Sequence, residues 1–179
     1  MFYGCTSLTR APELPAETLA GSCYCYMFSG CTSLVQAPEL PATALAIYCY
    51  SHMFRDCTAL TTAPAVLPAT TLAYSCYGSM FYGCTSLTTA PAALPATTLA
   101  DYCYSSMFYG CTSLTTAPEL PATTLAGSCY DGMFSGCTSL SSAPALSAET
   151  LAYGCYQEMF YGCSSLTAAP ELPATALST

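Results

Sequence analysis

The 179-residue chain contains no tryptophan, no lysine and a single histidine, and charged residues make up only 7 % of it. Its basic side chains are Arg10 and Arg55, set against ten carboxylates, for a formal charge of -8. Nucleic acid is therefore not expected as a partner, because backbone binding depends on basic groups that neutralise phosphates. Anionic membrane surfaces are disfavoured on the same ground. Apolar types reach 53 %, yet no run approaches the ~18 apolar residues of a membrane span. Met1 is not followed by the basic and then apolar stretch of a secretory leader.

The chemistry of catalysis is equally scarce. His52 is the only histidine, and the matching positions elsewhere hold Tyr26, Ser79, Ser106, Gly132 and Glu158. A solvated helix position is expected for it rather than a general base. The glycines stand singly, so no phosphate-cradling loop is present. Glu13, Glu39, Glu119 and Glu171 recur in one turn, where a solvated edge is expected, since a catalytic pair needs unlike environments. No enzyme activity, cofactor or metal site is expected.

What is present is repetition. Met-Phe recurs from Met1, Met27, Met53, Met80, Met107, Met133 and Met159, with periods of 26, 26, 27, 27, 26 and 26 residues. The chain thus divides into units 1-26, 27-52, 53-79, 80-106, 107-132, 133-158 and a truncated 159-179, forming one repeat domain over 1-179. Met1 occupies a methionine column, and Thr179 falls before the last unit's second cysteine. An excerpt of a longer protein is expected. The extra residue of the longer units sits in APAVLP and APAALP, where most others read APELP, as an insertion into a turn would.

Leucine fills three columns, one of them Leu8, Leu34, Leu60, Leu87, Leu114, Leu140 and Leu166, the others running from Leu14 to Leu172 and from Leu19 to Leu177. A large aliphatic side chain at fixed phases is what stacked coils need if each is to cover the next. Between Thr97 and Cys111, Leu99, Cys103, Met107 and Cys111 are four apart, which predicts one face of a short helix capped by Thr97 or Thr98 and stopped at Gly110. A strand of two to four residues is expected near Thr115 to Ala117, ended by the proline that recurs in every unit, here Pro118. With Ala117 inward, the outward column is Arg10, Gln36, Thr62, Thr89, Thr116, Ser142 and Ala168. Within it Gln36, Thr62, Thr89, Thr116 and Ser142 form a candidate binding face. The same threonines suggest ice or crystal-surface binding, but Arg10, Gln36 and Ala168 interrupt that array.

The fold expected is an α/β solenoid of seven stacked coils, with short parallel strands on one side and short helices on the other. The run Phe-x-Gly-Cys-x-Ser-Leu followed by Leu-Pro, clearest at 81-87 and 108-114, resembles the BspA-like class of leucine-rich repeats. The resemblance covers every unit, although the units are longer than usual for the class and carry a second cysteine. It implies a right-handed leucine-rich-repeat stack, displayed extracellularly or on the cell surface, that binds proteins or glycans in adhesion. No family site residues carry over.

The fourteen cysteines form two columns and one extra, Cys25. Cys5, Cys31, Cys57, Cys84, Cys111, Cys137 and Cys163 make the first, expected as a core ladder; Cys23, Cys49, Cys76, Cys103, Cys129 and Cys155 make the second. In a continuous helix Cys103 and Cys111 would lie ~12 Å apart, too far for a disulfide. Free buried thiols acting as small apolar residues are expected, with bridges between adjacent coils still open. The spacing is not that of zinc ligands. Tyr24, Tyr50, Tyr77, Tyr104, Tyr130 and Tyr156 are expected to pack between helices with their hydroxyls reaching water. An aromatic outer surface that contacts a protein or glycan is the alternative. The functional expectation is a binding module; its rival is a filament subunit that stacks end to end on copies of itself, since uncapped solenoid ends expose apolar core.

Overall fold

Within the stretch Thr97 to Cys111, expected as a helix, residues 101–110 fold instead into a ribbon of consecutive β-turns. The computed structural model describes residues 1–177, and no α-helix occurs among them. Cys103, Ser105, Met107, Tyr109 and Cys111 each donate their amide to the carbonyl three residues back, at 3.1–3.2 Å. The alternate amides leave the coil: Tyr102, Tyr104, Ser106, Phe108 and Gly110 donate to Gly127, Cys129, Asp131, Met133 and Ser135 of the following coil, at 2.7–3.0 Å. The carbonyls of Asp101, Cys103, Ser105, Met107 and Tyr109 accept from the preceding coil in the same way. The backbone polar groups of the ribbon are thereby satisfied, half of them by closing turns and half by joining neighbours.

Backbone dihedrals explain why the helix fails. Tyr102, Ser106 and Gly110 have φ of 56°, 53° and 69°, whereas every residue of a right-handed helix has negative φ. Positive φ at the third position of alternate turns is the type II signature. It returns every fourth residue in the other ribbons, as at Tyr48, His52 and Asp56 or Ser75, Ser79 and Gly83. His52 is thus a left-handed turn residue, not the solvated helix position expected. Thr98 is likewise no helix cap; it pairs with Thr124 of the next coil.

The opposite side is held more lightly. Parallel pairing runs one residue at a time through Arg10, Gln36, Thr62, Thr89 and Thr116, in the column where the short strand was expected. The two-residue strands β1 (Thr150–Leu151) and β2 (Ala176–Leu177) pair in parallel, Thr150 with Ala176 and Leu151 with Leu177. Proline at the end of each rung removes a donor and keeps these pairings short.

Between the two sides lies one continuous apolar core. The turn ribbon sends side chains alternately two in and two out: Cys103, Tyr104, Met107, Phe108 and Cys111 are buried, while Asp101 and Tyr102 are exposed. Phenylalanines from Phe2 to Phe160 stack coil on coil with centroids 5.4–5.8 Å apart and planes within 8°. Leu34, Leu60, Leu87, Leu114 and Leu140 are fully buried. The third leucine column is only partly so, with Leu19, Leu72, Leu125 and Leu151 packed at the edge of the core. Leu114→Ala should cost about 2–5 kcal/mol, and Leu166→Ala, half-buried in the last unit, less than half as much; urea unfolding of the two variants measures the difference, and equal losses would contradict the stacked core.

Candidate binding surfaces

Backbone pairing presents Gln36, Thr62, Thr89 and Thr116 as a file of exposed side chains, with Ser142 exposed farther along. The adjacent hydroxyls turn back on the main chain: Thr61 and Thr88 donate to the carbonyls of Val35 and Thr61, each at 3.3 Å. The side chain of Thr61 also lies 3.4 Å from the Thr62 hydroxyl. Beside this file, a groove of about 420 Å³ runs between Arg10, Pro12 and Glu13 of one coil and Gln36, Pro38 and Glu39 of the next. The turn glutamates Glu13, Glu39, Glu119 and Glu171 are all exposed.

The outer edge of the turn ribbon is aromatic. Tyr82 and Tyr109 stack at 4.6 Å with planes 1° apart, and the Arg55 guanidinium lies over the Tyr82 ring at 4.4 Å. Arg55 Nε also meets the Asp56 carboxylate at 3.3 Å. Asp56 stands where most units have glycine, at φ 58°, and a Cβ on Gly83 would collide with its carboxylate. His52 stacks on Tyr26 at 4.5 Å, with Nδ1 2.8 Å from the Ser51 hydroxyl. Burial lowers its pKa, and the Arg55 charge adds to the effect, so the imidazole is neutral at pH 7.

A second aromatic group comprises Tyr48, Tyr74 and Tyr102, which like the aliphatic Ile47 are all exposed. Sequence reading passed over it because Tyr74 stands two residues before its cysteine while Tyr48 and Tyr102 stand one before theirs, so the three share no column. Scanning the pair of positions ahead of the second cysteine would have found them.

All fourteen cysteines are free thiols. With no helix, the distance argument against a Cys103–Cys111 bridge loses its premise; the observed geometry gives the Cys111 thiol another role. Each thiol from Cys31 to Cys163 in the first column donates to a phenylalanine carbonyl of the preceding coil at 3.0–3.1 Å. Phe108 O, for example, receives both the Cys111 amide and the Cys137 thiol. Cys5, in the first unit, is exposed.

The tyrosine column differs from expectation. Tyr50, Tyr77 and Tyr104 stack at 5.7 Å between coils, and their hydroxyls are buried with no hydrogen-bond partner among the described residues. A buried polar group without a partner costs roughly 1–3 kcal/mol. Tyr77→Phe should therefore leave stability unchanged or raise it, and a loss above about 1 kcal/mol in urea unfolding would show that the hydroxyl is bonded after all.

Burial also fixes the pH range of the fold. It pushes the thiols of Cys49, Cys57, Cys129 and Cys137 up to about 12 and that of Cys76 to about 11, from an ordinary 9.0. The Tyr156 hydroxyl rises to about 12 and those of Tyr77 and Tyr104 go well above 10.0, for the same reason. A raised folded-state pKa means that the unfolded chain loses its protons first as pH rises. Stability from these groups is complete below pH 9 and drains away between about 9 and 12. Thermal unfolding should show a midpoint that falls steeply above pH 9; a flat midpoint to pH 11 would contradict the buried ladder.

The stacked coils, the proline-ended rungs and the repeated Gly-Cys turn define a leucine-rich-repeat protein. A family model of the BspA type leucine rich repeat region matches residues 1–107 and 104–172 with six copies, and the chain belongs to that family. Among solved structures it is similar to a leucine-rich repeat protein from Bacteroides ovatus ATCC 8483, with 20 % identity, TM-score 0.52, and coverage of 99 % of this chain and 39 % of that one. It is also similar to the T. pallidum leucine rich repeat protein TpLRR, with 27 % identity, TM-score 0.57, and coverage of 92 % and 68 %. The chain thus spans about two fifths of the first protein's length. No curated protein sequence matches it. Among the described residues no helix is long and apolar enough to cross a membrane.

Proposed function

We propose that the chain is an extracellular, non-enzymatic binding module that recognises a protein or glycan in adhesion. The observation that carries this reading is the concentration of exposed tyrosine on one side: Tyr3, Tyr26, Tyr48, Tyr74, Tyr102, Tyr153 and Tyr161 are all on the turn ribbons, each between 39 % and 84 % exposed. Tyrosine offers a large contact area at little conformational cost and is enriched at the centres of interfaces. Exposing it repeatedly is unfavourable for a surface that meets only water. The file of Gln36, Thr62, Thr89, Thr116 and Ser142 is the second candidate face, pre-organised by the backbone pairing beneath most of it.

A filament subunit is the other reading, and the directional ladder favours it. Every complete ribbon donates its alternate amides forward to the coil that follows, so the same ladder can run on from one chain to the next. The first coil of a second copy would continue it, producing an open head-to-tail assembly.

Sedimentation at rising concentration separates the two. A binding module stays a monomer or one fixed oligomer; growth into long polymers would support the filament instead. Surface capture on a panel of purified extracellular-matrix proteins and glycans then locates the face. Tyr48→Ala/Tyr102→Ala or Thr89→Arg/Thr116→Arg should weaken capture at least about tenfold, and capture by neither the parent chain nor its variants would remove the adhesion reading.

A further inference from the structure

Aromatic side chains that meet between coils elsewhere in the core lie nearly parallel, with planes within 14°. On the outer edge two groups do not: Tyr3 meets Tyr26 at 6.4 Å and 64°, and the other group joins three tyrosines at one corner. Tyr48 meets Tyr74 at 5.3 Å with planes 72° apart, and Tyr74 meets Tyr102 at 5.5 Å and 51°. Tyr74 enters one position earlier in its coil than its neighbours, so its ring comes at an angle. Parallel stacking hides ring faces, whereas tilted contact leaves faces open, and each of these rings is about two-fifths exposed. An open tyrosine face carries the negative side of the ring quadrupole and attracts a cation within ~6 Å. The same protein already places a cation this way, with Arg55 over Tyr82.

A carboxylate completes the corner. Asp101 precedes Tyr102 and is exposed. Its Oδ1 accepts the Gly127 amide at 2.8 Å, which fixes the group in place, and Oδ2 has no hydrogen-bond partner among the described residues. No arginine or lysine is placed to take it: there is no lysine, Arg55 is held by Asp56 and Tyr82, and Arg10 sits in the lightly paired rung column on the opposite side.

We propose that Tyr48, Tyr74, Tyr102 and Asp101 form a recognition site for a lysine ammonium group on a partner protein. One free carboxylate oxygen suits a compact point charge better than a guanidinium, whose fork is matched by two. Ile47, next to Tyr48 in the chain and 53 % exposed with its side chain lying toward Gly21, leaves apolar surface at the edge of this corner for the methylene stem of the lysine. The net charge of -8 steers a cationic partner toward the surface. The proposal rests on the binding-module reading and assigns it a partner chemistry.

The test titrates N-acetyl-lysine methylamide into the intact chain and follows the ring-proton signals of Tyr48, Tyr74 and Tyr102 by NMR. Saturable shifts confined to these rings are expected, with the uncharged Nε-acetyl analogue causing none and the arginine analogue binding about two- to fivefold more weakly. Asp101→Asn, which can still accept from Gly127, and Tyr102→Ala should each weaken lysine binding about two- to fivefold or more, while Tyr102→Phe keeps it. Unchanged circular dichroism establishes that the variants are folded. Equal shifts with the uncharged analogue, or undiminished binding by Asp101→Asn, would overturn the site. Tighter binding of tetramethylammonium than of lysine would overturn the lysine assignment in favour of a quaternary headgroup. Should matrix capture persist in Asp101→Asn with lysine binding absent from the parent chain, the cation site fails while the binding-module reading stands.

Discussion

The division of backbone amides between two tasks is the constraint on which the rest depends. In a helix each amide reaches back along its own coil, and nothing remains to join one coil to the next. Here alternate amides close turns, and the intervening ones reach the neighbouring coil. The left-handed residues are the cost of that arrangement: Tyr102 and Ser106 occupy a φ region that costs an ordinary residue about 1–2 kcal/mol. Five cross-coil hydrogen bonds, from Tyr102 to Gly110, return that cost at a single interface.

Register follows from those bonds, and side-chain chemistry follows from register. Coils tied at every second residue place like on like, so phenylalanine stacks on phenylalanine and tyrosine on tyrosine. The thiol column fits the same logic. A cysteine is small and apolar enough for a dry interior, and its weak donor reaches the spare lone pair of a phenylalanine carbonyl that already serves a turn. Register also explains the outer surface. Where neighbouring units carry tyrosine at the same position, as at Tyr82 and Tyr109, the rings lie flat on each other; where they are offset by one, as at Tyr74, the rings tilt and stay open.

Much of this was legible in the residues. The period, the leucine columns and the location of the lightly paired side at Thr116 all follow from spacing, because any stack must repeat its buried positions. The ribbon was misread because Leu99, Cys103, Met107 and Cys111 recur every four residues, and a ribbon of turns with period four buries almost the same positions as a helix of period 3.6. Composition held the corrective. Tyr102, Ser106 and Gly110 and their equivalents are poor helix formers set four apart, and a glycine at the last of them suits positive φ. The buried hydroxyls of Tyr50, Tyr77 and Tyr104 had no such signal, since tyrosine normally keeps its tip in contact with water or a partner.

The most direct measurement is scalar coupling across individual hydrogen bonds by NMR. For the Phe108 amide, the turn ribbon predicts coupling to the carbonyl carbon of Met133, 25 residues ahead in the next coil, at a nitrogen–oxygen distance of 2.9 Å. Coupling of the Phe108 amide to the carbonyl of Tyr104, four residues back, would mean a helix and contradict the account.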